Sequence, residues 1–580
     1  MSGQWSLKEI YPSYESTAYK EDLQKLEVLF KKLENTQLED SLSCVRQVIE
    51  DLEQVTLLQR RLFAYSSLQL STDTRHEPSL KHMAYLRKIS ATFAKTDAKI
   101  AAFLGSVTID INQDPILADY AFLFAEYKIQ ASRLLSQEAE EVYAKLNQSA
   151  GTAWAQLQSF LTSSVEGEFK GETLTLSAVR NLAYSHDPAV RKAAYELELS
   201  MYETIKEPVA FAINNIKSQV NDMTSLRGYG SALEATLEQS RMSKETLNAL
   251  IKAIQNALPS FRKYFRHKAK LLGHPEGLPF YDLFAPIGQA ASRTFTAQET
   301  KDYLVSLFKT FSDDLADLTA ETFDKDYVDL YPRKGKVGGA FCSTIPAINQ
   351  SRILMNFDGS LRNVVTMAHE LGHAYHGLHL RGHRPLNQSY SMPVAETAST
   401  FNEHIVMNAM LKEVSEEERI SLIESEIQDT AQIIVDIYSR YYFESKLFER
   451  RQSDFLFSKD LEALMLEAQE AAYGDGLDAN TRHPFMWICK PHYYSAGLSY
   501  YNFPYAFGGL FSKGLYLKYQ AEPDHFVDQY HALLRATSVS SVEDTAATIG
   551  IDVTDPAFWQ ETLNYYDQLI DQWIELTGHA

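Results

Sequence analysis

Arg352-Ile-Leu-Met-Asn-Phe357, Asp358-Gly-Ser360 and Leu361-Arg-Asn-Val-Val-Thr-Met-Ala-His369-Glu-Leu-Gly-His373 follow one another without a gap, and their reading sets the fold. The first run, like Lys336-Val-Gly-Gly-Ala-Phe-Cys342 upstream, is short, partly β-branched and bounded by turn residues. Both read as strands. Asp358-Gly-Ser360 supplies a turn and an N-cap, and Val364, Val365, Ala368 and Leu371 then recur at helical spacing. The stretch is a small sheet followed at once by a helix carrying His-Glu-x-x-His.

On that helix His369 and His373 stand one turn apart on the same face, so both imidazoles can converge on one ion. Glu370 lies on the adjacent face, close enough to take a proton from a water but not to act as a ligand. Zinc suits two neutral nitrogens and a carboxylate, with one tetrahedral position left open.

The third ligand sets the subclass. His379 stands six residues after His373, the spacing of H-E-x-x-H-x-x-G-x-x-H, but His376 occupies the position where that pattern needs glycine, and Gly377 comes one residue late. The rival is Glu396 in Pro393-Val-Ala-Glu-Thr-Ala-Ser-Thr-Phe-Asn-Glu403. Pro393 suits the first turn of a new helix. Glu396, Ser399 and Glu403 then form a polar stripe on a helix otherwise built of Val, Ala, Thr and Phe, which implies something polar opposite. The spacing favours Glu396 as ligand. His376 and His379 read as helix-face residues near the site. Glu403 reads equally as an acceptor for a ligand imidazole N–H or as an ordinary carboxylate.

Outward from this centre nearly everything reads as helix. Leu23, Leu26, Leu29, Phe30 and Leu33 share one face, as do Val45, Val48, Ile49, Leu52 and Val55. Further helical patterns cover Tyr85–Phe103, Glu138–Phe160, Val179–Met201, Pro208–Met223, Lys244–Leu258 and Phe261–Leu272. Thr296-Ala-Gln-Glu299 has capping-box spacing, with Phe295 placed to staple the first turn. The reading is a mainly α protein with one small sheet beside one special helix. It divides into an N-terminal helical lobe over 1–200 and a metal-bearing domain over 201–580.

Composition narrows the function. Of 580 residues, 45% are hydrophobic and 23% charged, enough for a large core. The net charge of −21 would repel a polyphosphate, so nucleic acid is excluded as a partner. Three cysteines, Cys44, Cys342 and Cys489, are too few and too scattered for a disulfide framework or a CxxC site. No run approaches the roughly 18 apolar residues needed to span a bilayer, and the N-terminus has no signal-peptide pattern. A cytoplasmic protein with no membrane association is expected.

Pro491-His-Tyr-Tyr-Ser-Ala-Gly-Leu-Ser-Tyr-Tyr-Asn-Phe-Pro-Tyr-Ala-Phe-Gly-Gly509 is rich in tyrosine and glycine. Its hydroxyls could donate to a developing oxyanion, or its rings could simply pack.

At these residues the chain resembles oligoendopeptidase F, a relative of thimet oligopeptidase and neurolysin. The motifs that carry the likeness are His369-Glu-Leu-Gly-His-Ala-Tyr-His376, Pro393–Glu403, and His492 with the Tyr500–Gly508 segment. Weaker matches extend it to Asp187–Tyr195, Leu226–Glu234 and Tyr281–Pro286. The resemblance implies a large helical zincin-type metallopeptidase with a deep channel that admits short unfolded peptides. It implies one zinc ion per chain on His369, His373 and Glu396, and a metalloendopeptidase that cuts internal peptide bonds with Glu370 as general base. It further implies that Lys336–Cys342 is the edge strand pairing with substrate backbone, through Gly338, Gly339, Ala340 and Phe341, by β-augmentation. His492, Tyr501 and Tyr505 are implied as oxyanion donors. Two other readings remain: a peptidase restricted to chain ends, which needs a fixed cation for the terminal carboxylate, and a helical scaffold with an accidental motif.

Overall fold

The computed structural model describes residues 3–288 and 293–578. Helices dominate it, and their starts follow the chemistry of their first residues. Ser16, Ser41, Ser136, Ser231 and Ser243 each cap a helix by accepting a backbone N–H of its first turn. Thr296 and Glu299 form the expected capping box. Phe295 reaches past the first turn, its ring 5.9 Å from that of Tyr303.

Two apolar cores result. The N-terminal helices Thr17–Asn35, Leu42–Thr72 and Glu77–Ser106 bury Leu26, Val45, Ile49, Leu62 and Leu86 against one another. The second core gathers side chains from Leu176 to Trp573. The boundary expected near residue 200 falls inside an unbroken helix, Pro188–Leu226. That helix stays whole because its buried face, from Ala194 to Val220, belongs throughout to the second core. We propose that the lobes divide between Phe124 and Leu176, where the two cores separate.

The span expected as one helix over Glu138–Phe160 is two helices, Gln137–Ser149 and Gly151–Ser164. Ala150 breaks the run, with φ −109° and ψ −108°. The Gly151 N–H then donates to Gln219 Oε1 at 2.8 Å, an attachment a straight helix would forgo.

Among the described residues five strands make two small sheets. β1 (Glu166–Phe169) and β2 (Glu172–Thr175) form a hairpin closed by Lys170 and Gly171, both at positive φ. Phe169 and Leu174 are its only large apolar residues and pack against the second core. β3 (Val328–Asp329), β4 (Phe341–Ile345) and β5 (Gln350–Leu354) form the second sheet in the order β3-β5-β4, with β4 antiparallel to β5 at the edge.

The edge strand therefore begins later than Lys336. Lys336 is pulled inward, its Nζ 2.6 Å from the Asp329 carboxylate, and Gly339 sits at φ +79°. Asn356 Nδ2 donates to the carbonyls of Val337 (3.0 Å) and Gly339 (2.8 Å), turning 337–339 into a loop closure. Asn356 thereby ends β5 early as well, at Leu354 instead of Phe357. Arg352 on β5 is fully buried, donating to Ser6 O at 2.6 Å and Glu9 Oε2 at 3.1 Å, so the N-terminal segment is tied to the sheet. Among the described residues no helix is long and apolar enough to cross a membrane.

Candidate active site

The motif helix runs Leu361–Leu380, capped by Ser360, whose hydroxyl accepts the Asn363 N–H at 3.3 Å. Beside it lies a second helix, Thr397–Glu413, entered from a single 3-10 turn, Met392–Val394, that Pro393 opens. Glu396 is the junction residue. The two helices touch backbone to backbone at Gly372: a Cβ there would stand 2.4 Å from Ala398 O and 2.5 Å from Ser399 Cα. Asn402 Nδ2 crosses the same gap to Ala368 O at 3.1 Å, satisfying a carbonyl in the dry interface.

This close approach brings His369, His373 and Glu396 together. Glu396 Oε2 lies 3.4 Å from His369 Nε2 and 3.3 Å from His373 Nε2. The two rings stand 4.9 Å apart at 85°, so they aim from different directions. Ligands about 2.1 Å from a tetrahedral ion are separated by about 3.4 Å, so the spacing fits a zinc-sized ion. The set of two imidazole nitrogens and one carboxylate oxygen fits it chemically.

The surrounding groups orient these donors. Ser399 Oγ donates to Glu396 Oε2 at 2.6 Å. His369 Nδ1 donates to Glu403 Oε1, which leaves Nε2 to face the triad. Burial works against charge on His369, yet Glu403 outweighs it and, with Glu396, pushes the imidazole pKa up to about 9. Burial likewise opposes charge on Glu396, but His373 and Ser399 pull its carboxyl down to about 2. Glu403→Gln should weaken metal affinity by about 10–100-fold, since a neutral amide polarises the imidazole less. Competition with a chromogenic chelator reads that loss, and an unchanged affinity would reduce Glu403 to a packing residue.

Glu370 is 5% exposed, and its Oε2 has no hydrogen-bond partner. Burial raises its pKa, against the pull of His369 and His373. A carboxylate kept from water and unpaired is poised to accept a proton. The edge strand β4 runs beside it: the half-buried Cys342 thiol is pushed up by desolvation and by the Glu370 carboxylate.

His492, Tyr501 and Tyr505 gather together. Ring centroids are 4.8 Å apart for His492–Tyr501, 5.3 Å for Tyr501–Tyr505 and 6.3 Å for His492–Tyr505. Tyr505 lies in the first turn of the helix Phe503–Ala521. One turn on, Gly508 passes so close that a Cβ would be 3.6 Å from Glu396 Cβ. Burial, the neighbouring Tyr501 and the Glu396 carboxylate all keep the Tyr505 hydroxyl protonated.

Residues 181–565 match the family described as peptidase family M3, and 110–166 match that described as oligopeptidase F. The first match alone covers more than half of the sequence. The chain belongs to peptidase family M3. Oligopeptidase PepF of Bacillus subtilis is 25% identical to it over 99% of this chain and 87% of PepF. Group B oligopeptidase PepB of Streptococcus agalactiae is 27% identical over 90% of this chain and 89% of PepB. Among solved structures, a protein described as a peptidase from Chlamydophila abortus superimposes with a TM-score of 0.86 at 21% identity, covering 99% and 98% of the two chains. Oligoendopeptidase-F from Enterococcus faecium gives 0.72 at 19%, covering 97% and 99%. The M3 chain is accordingly a metalloendopeptidase that acts on peptides and uses a metal.

In this M3 peptidase the other motif-helix histidines lie outside the triad. His376 stacks on Tyr390 at 4.2 Å and its Nε2 pairs with Thr537 Oγ1 at 2.8 Å, while burial takes its pKa down to about 3. His379 lies with Asp314 and His531. Of Gly338, Gly339, Ala340 and Phe341, only Phe341 is in the edge strand; the other three form its approach, and nothing crowds Gly338 or Gly339.

The support beneath the tyrosine segment is built from residues far apart in the chain. Asn502 caps the helix start, its Nδ2 donating to Glu444 Oε2 at 2.8 Å, while the buried Lys217 donates to Glu444 Oε1 at 2.8 Å. The three are separated by 227 and 58 residues, so no local pattern links them.

Proposed function

We propose that the chain is a zinc-dependent oligoendopeptidase, with His369, His373 and Glu396 as the metal ligands and Glu370 as the general base. The observation that carries this reading is three converging donors beside a buried, unpaired carboxylate. When bound, zinc supplies a Lewis acid that acidifies a water and polarises the scissile carbonyl. Glu370 takes the proton of the attacking water on the oxygen left unpaired by its surroundings, and returns it to the leaving amine. Tyr505, held protonated, donates its hydroxyl to the developing oxyanion, and Tyr501 and His492 pack behind it to fix its direction. Phe341 opens the edge strand beside Glu370, and the uncrowded Gly338–Ala340 approach gives substrate backbone room to pair with it.

A cavity of about 940 Å³ opens between the helical regions, with none of the proposed metal ligands in its wall. Ser391 and Tyr390, just before the Glu396 junction, form part of its wall, and its other lining comes from both helical regions, including Arg133, Arg227 and Arg241. Those cations are already engaged: Arg133 with Glu238 at 3.0 Å, Arg227 with Glu140 at 2.8 Å and Arg241 with Glu126 at 2.6 Å. None of the three is free to hold a terminal carboxylate in that cavity.

The test is a decapeptide and a mixed peptide library incubated with and without chelator, with cut sites read by mass spectrometry. Internal cuts that vanish with chelator and return with zinc are expected. Products shortened only from one end would overturn the endopeptidase reading. Tyr505→Phe should lower kcat by about 10–100-fold with little change in KM, the worth of one hydrogen bond to a charged oxygen. An unchanged kcat would make Tyr505 a packing residue.

A further inference from the structure

Arg60 and Arg61 follow one another on the helix Leu42–Thr72, and their surroundings differ. Arg61 donates to Asp22 Oδ2 at 2.9 Å and to Ile10 O at 2.8 Å. The half-buried Arg60 crosses from the N-terminal lobe and donates through Nη2 to Ser389 Oγ at 2.8 Å. Among the described residues it has no carboxylate partner, so most of its N–H fork is unengaged. Burial pulls its pKa down, and the neighbouring Tyr390 is what works against that pull. A cation withdrawn from water without a counter-charge costs folding free energy. Its position therefore calls for a reason other than stability.

Tyr390 supplies a second, independent observation. Its ring stacks on that of His376 at 4.2 Å and 11°, and His376 Nε2 is fixed on Thr537 Oγ1 at 2.8 Å. His376 stands three residues past the proposed ligand His373, about 4.5 Å along the motif helix. The tyrosine ring is thus held one turn from the proposed metal centre, where it also walls the large cavity. Its hydroxyl has no hydrogen-bond partner among the described residues. Burial, then Cys342 and Glu396, push its pKa up to about 12, so it stays protonated and able to donate. The loop that carries it is tied down on both sides of Ser389, whose carbonyl accepts from Arg241 Nη1 at 3.3 Å. Ile345, the last residue of β4, shares a core with the helix of Arg60. That helix therefore lies along the strand proposed to pair with substrate.

We propose that Arg60 and Tyr390 form a carboxylate-binding subsite that receives an acidic side chain or the free C-terminus of the peptide being cut. This rests on the peptidase reading above. A carboxylate pairs its oxygens with the planar guanidinium fork, and the Tyr390 hydroxyl adds a further donor. A neutral peptide carbonyl would leave the cation without its counter-charge. Arg133, Arg227 and Arg241 already hold carboxylates of this chain, so they do not compete for the same ligand.

The test uses the zinc-loaded full chain and two sets of decapeptides. In the first, C-terminally amidated, one glutamate is moved along the sequence and each peptide has a glutamine twin. The second is a pair ending in a free acid or an amide. The parent should show a KM about 10–100-fold lower for the charged member of at least one pair, with kcat within a few-fold. A preference confined to one glutamate position identifies a side chain, and one confined to the free acid identifies the C-terminus. Arg60→Gln should bring charged and neutral twins to the same KM. Tyr390→Phe, which keeps the ring on His376, should narrow the gap by about 10-fold and serves where Arg60→Gln does not fold. Calorimetric binding of the same peptides to Glu370→Gln reads affinity without turnover. Equal affinity within every pair overturns the subsite. A preference that survives Arg60→Gln at parental size, or Tyr390→Phe where Arg60→Gln does not fold, also overturns it. Arg60-dependent binding to a chain that cuts no peptide would overturn the peptidase reading and leave the subsite standing.

Discussion

Glu370→Gln should keep its full complement of metal and hydrolyse peptides about 10²–10⁴-fold more slowly than the parent, the usual worth of a positioned general base. The amide has the size and shape of the carboxylate, so Glu396 keeps its distances of 3.4 Å to His369 and 3.3 Å to His373. What is lost is the capacity to take a proton at the buried, unpartnered Oε2. Folding stability should hold or rise, because the variant removes a carboxylate whose charged form burial already disfavours. Metal analysis, steady-state kinetics and a thermal melt on the same preparation separate the possibilities. A parent-like rate would remove Glu370 from the chemistry. A lost rate accompanied by lost metal would mean that it acts by supporting the ligands.

The parts of this site legible in the sequence are those whose geometry is local. The i, i+4 spacing of His369 and His373 fixes a shared helix face before anything is known of the fold, and Ser360 announces where that helix begins. Glu396 lies farther away, yet its helix carries a polar stripe among Val, Ala and Phe, and such a stripe is visible in the order of residues. The mainly helical architecture was readable for the same reason, since apolar spacing of three and four recurs through Leu26, Leu29 and Phe30 or Val45, Val48 and Ile49. Strand limits were not readable, because they depend on Asn356 capturing the carbonyls of Val337 and Gly339 across the chain. The break at Ala150 depends on Gln219, and the support of Tyr505 depends on Lys217 and Glu444. In each case a long-range hydrogen bond overrides a local preference. Arg60 and Tyr390 show the same limit, since 330 residues (390 − 60) separate them.

Gly372→Ala should dismantle the metal site although it touches no ligand. The added methyl would lie 2.4 Å from Ala398 O and 2.5 Å from Ser399 Cα, and both are backbone atoms that cannot swing aside. Ordinary contact needs roughly 1 Å more, and a densely packed interior has no slack to provide it. Ala368, Leu371, Ala398 and Phe401 around the crossing are at most 1% exposed, so one helix must shift bodily against the other. Because Glu396 and Glu403 ride on one helix and the histidines on the other, that shift moves Glu396 against both histidines and Glu403 against His369, whereas metal–ligand distances tolerate only about 0.2 Å. The expected result is a loss of about 1–3 kcal/mol in stability. Zinc affinity should fall by more than the 10–100-fold of Glu403→Gln, because the ligands themselves are displaced. Gly382→Ala, two residues past the same helix and facing open space, is the control and should behave as the parent. If Gly372→Ala instead melts and binds zinc like the parent, the two helices can part without disturbing the triad, and the backbone contact is not what positions Glu396.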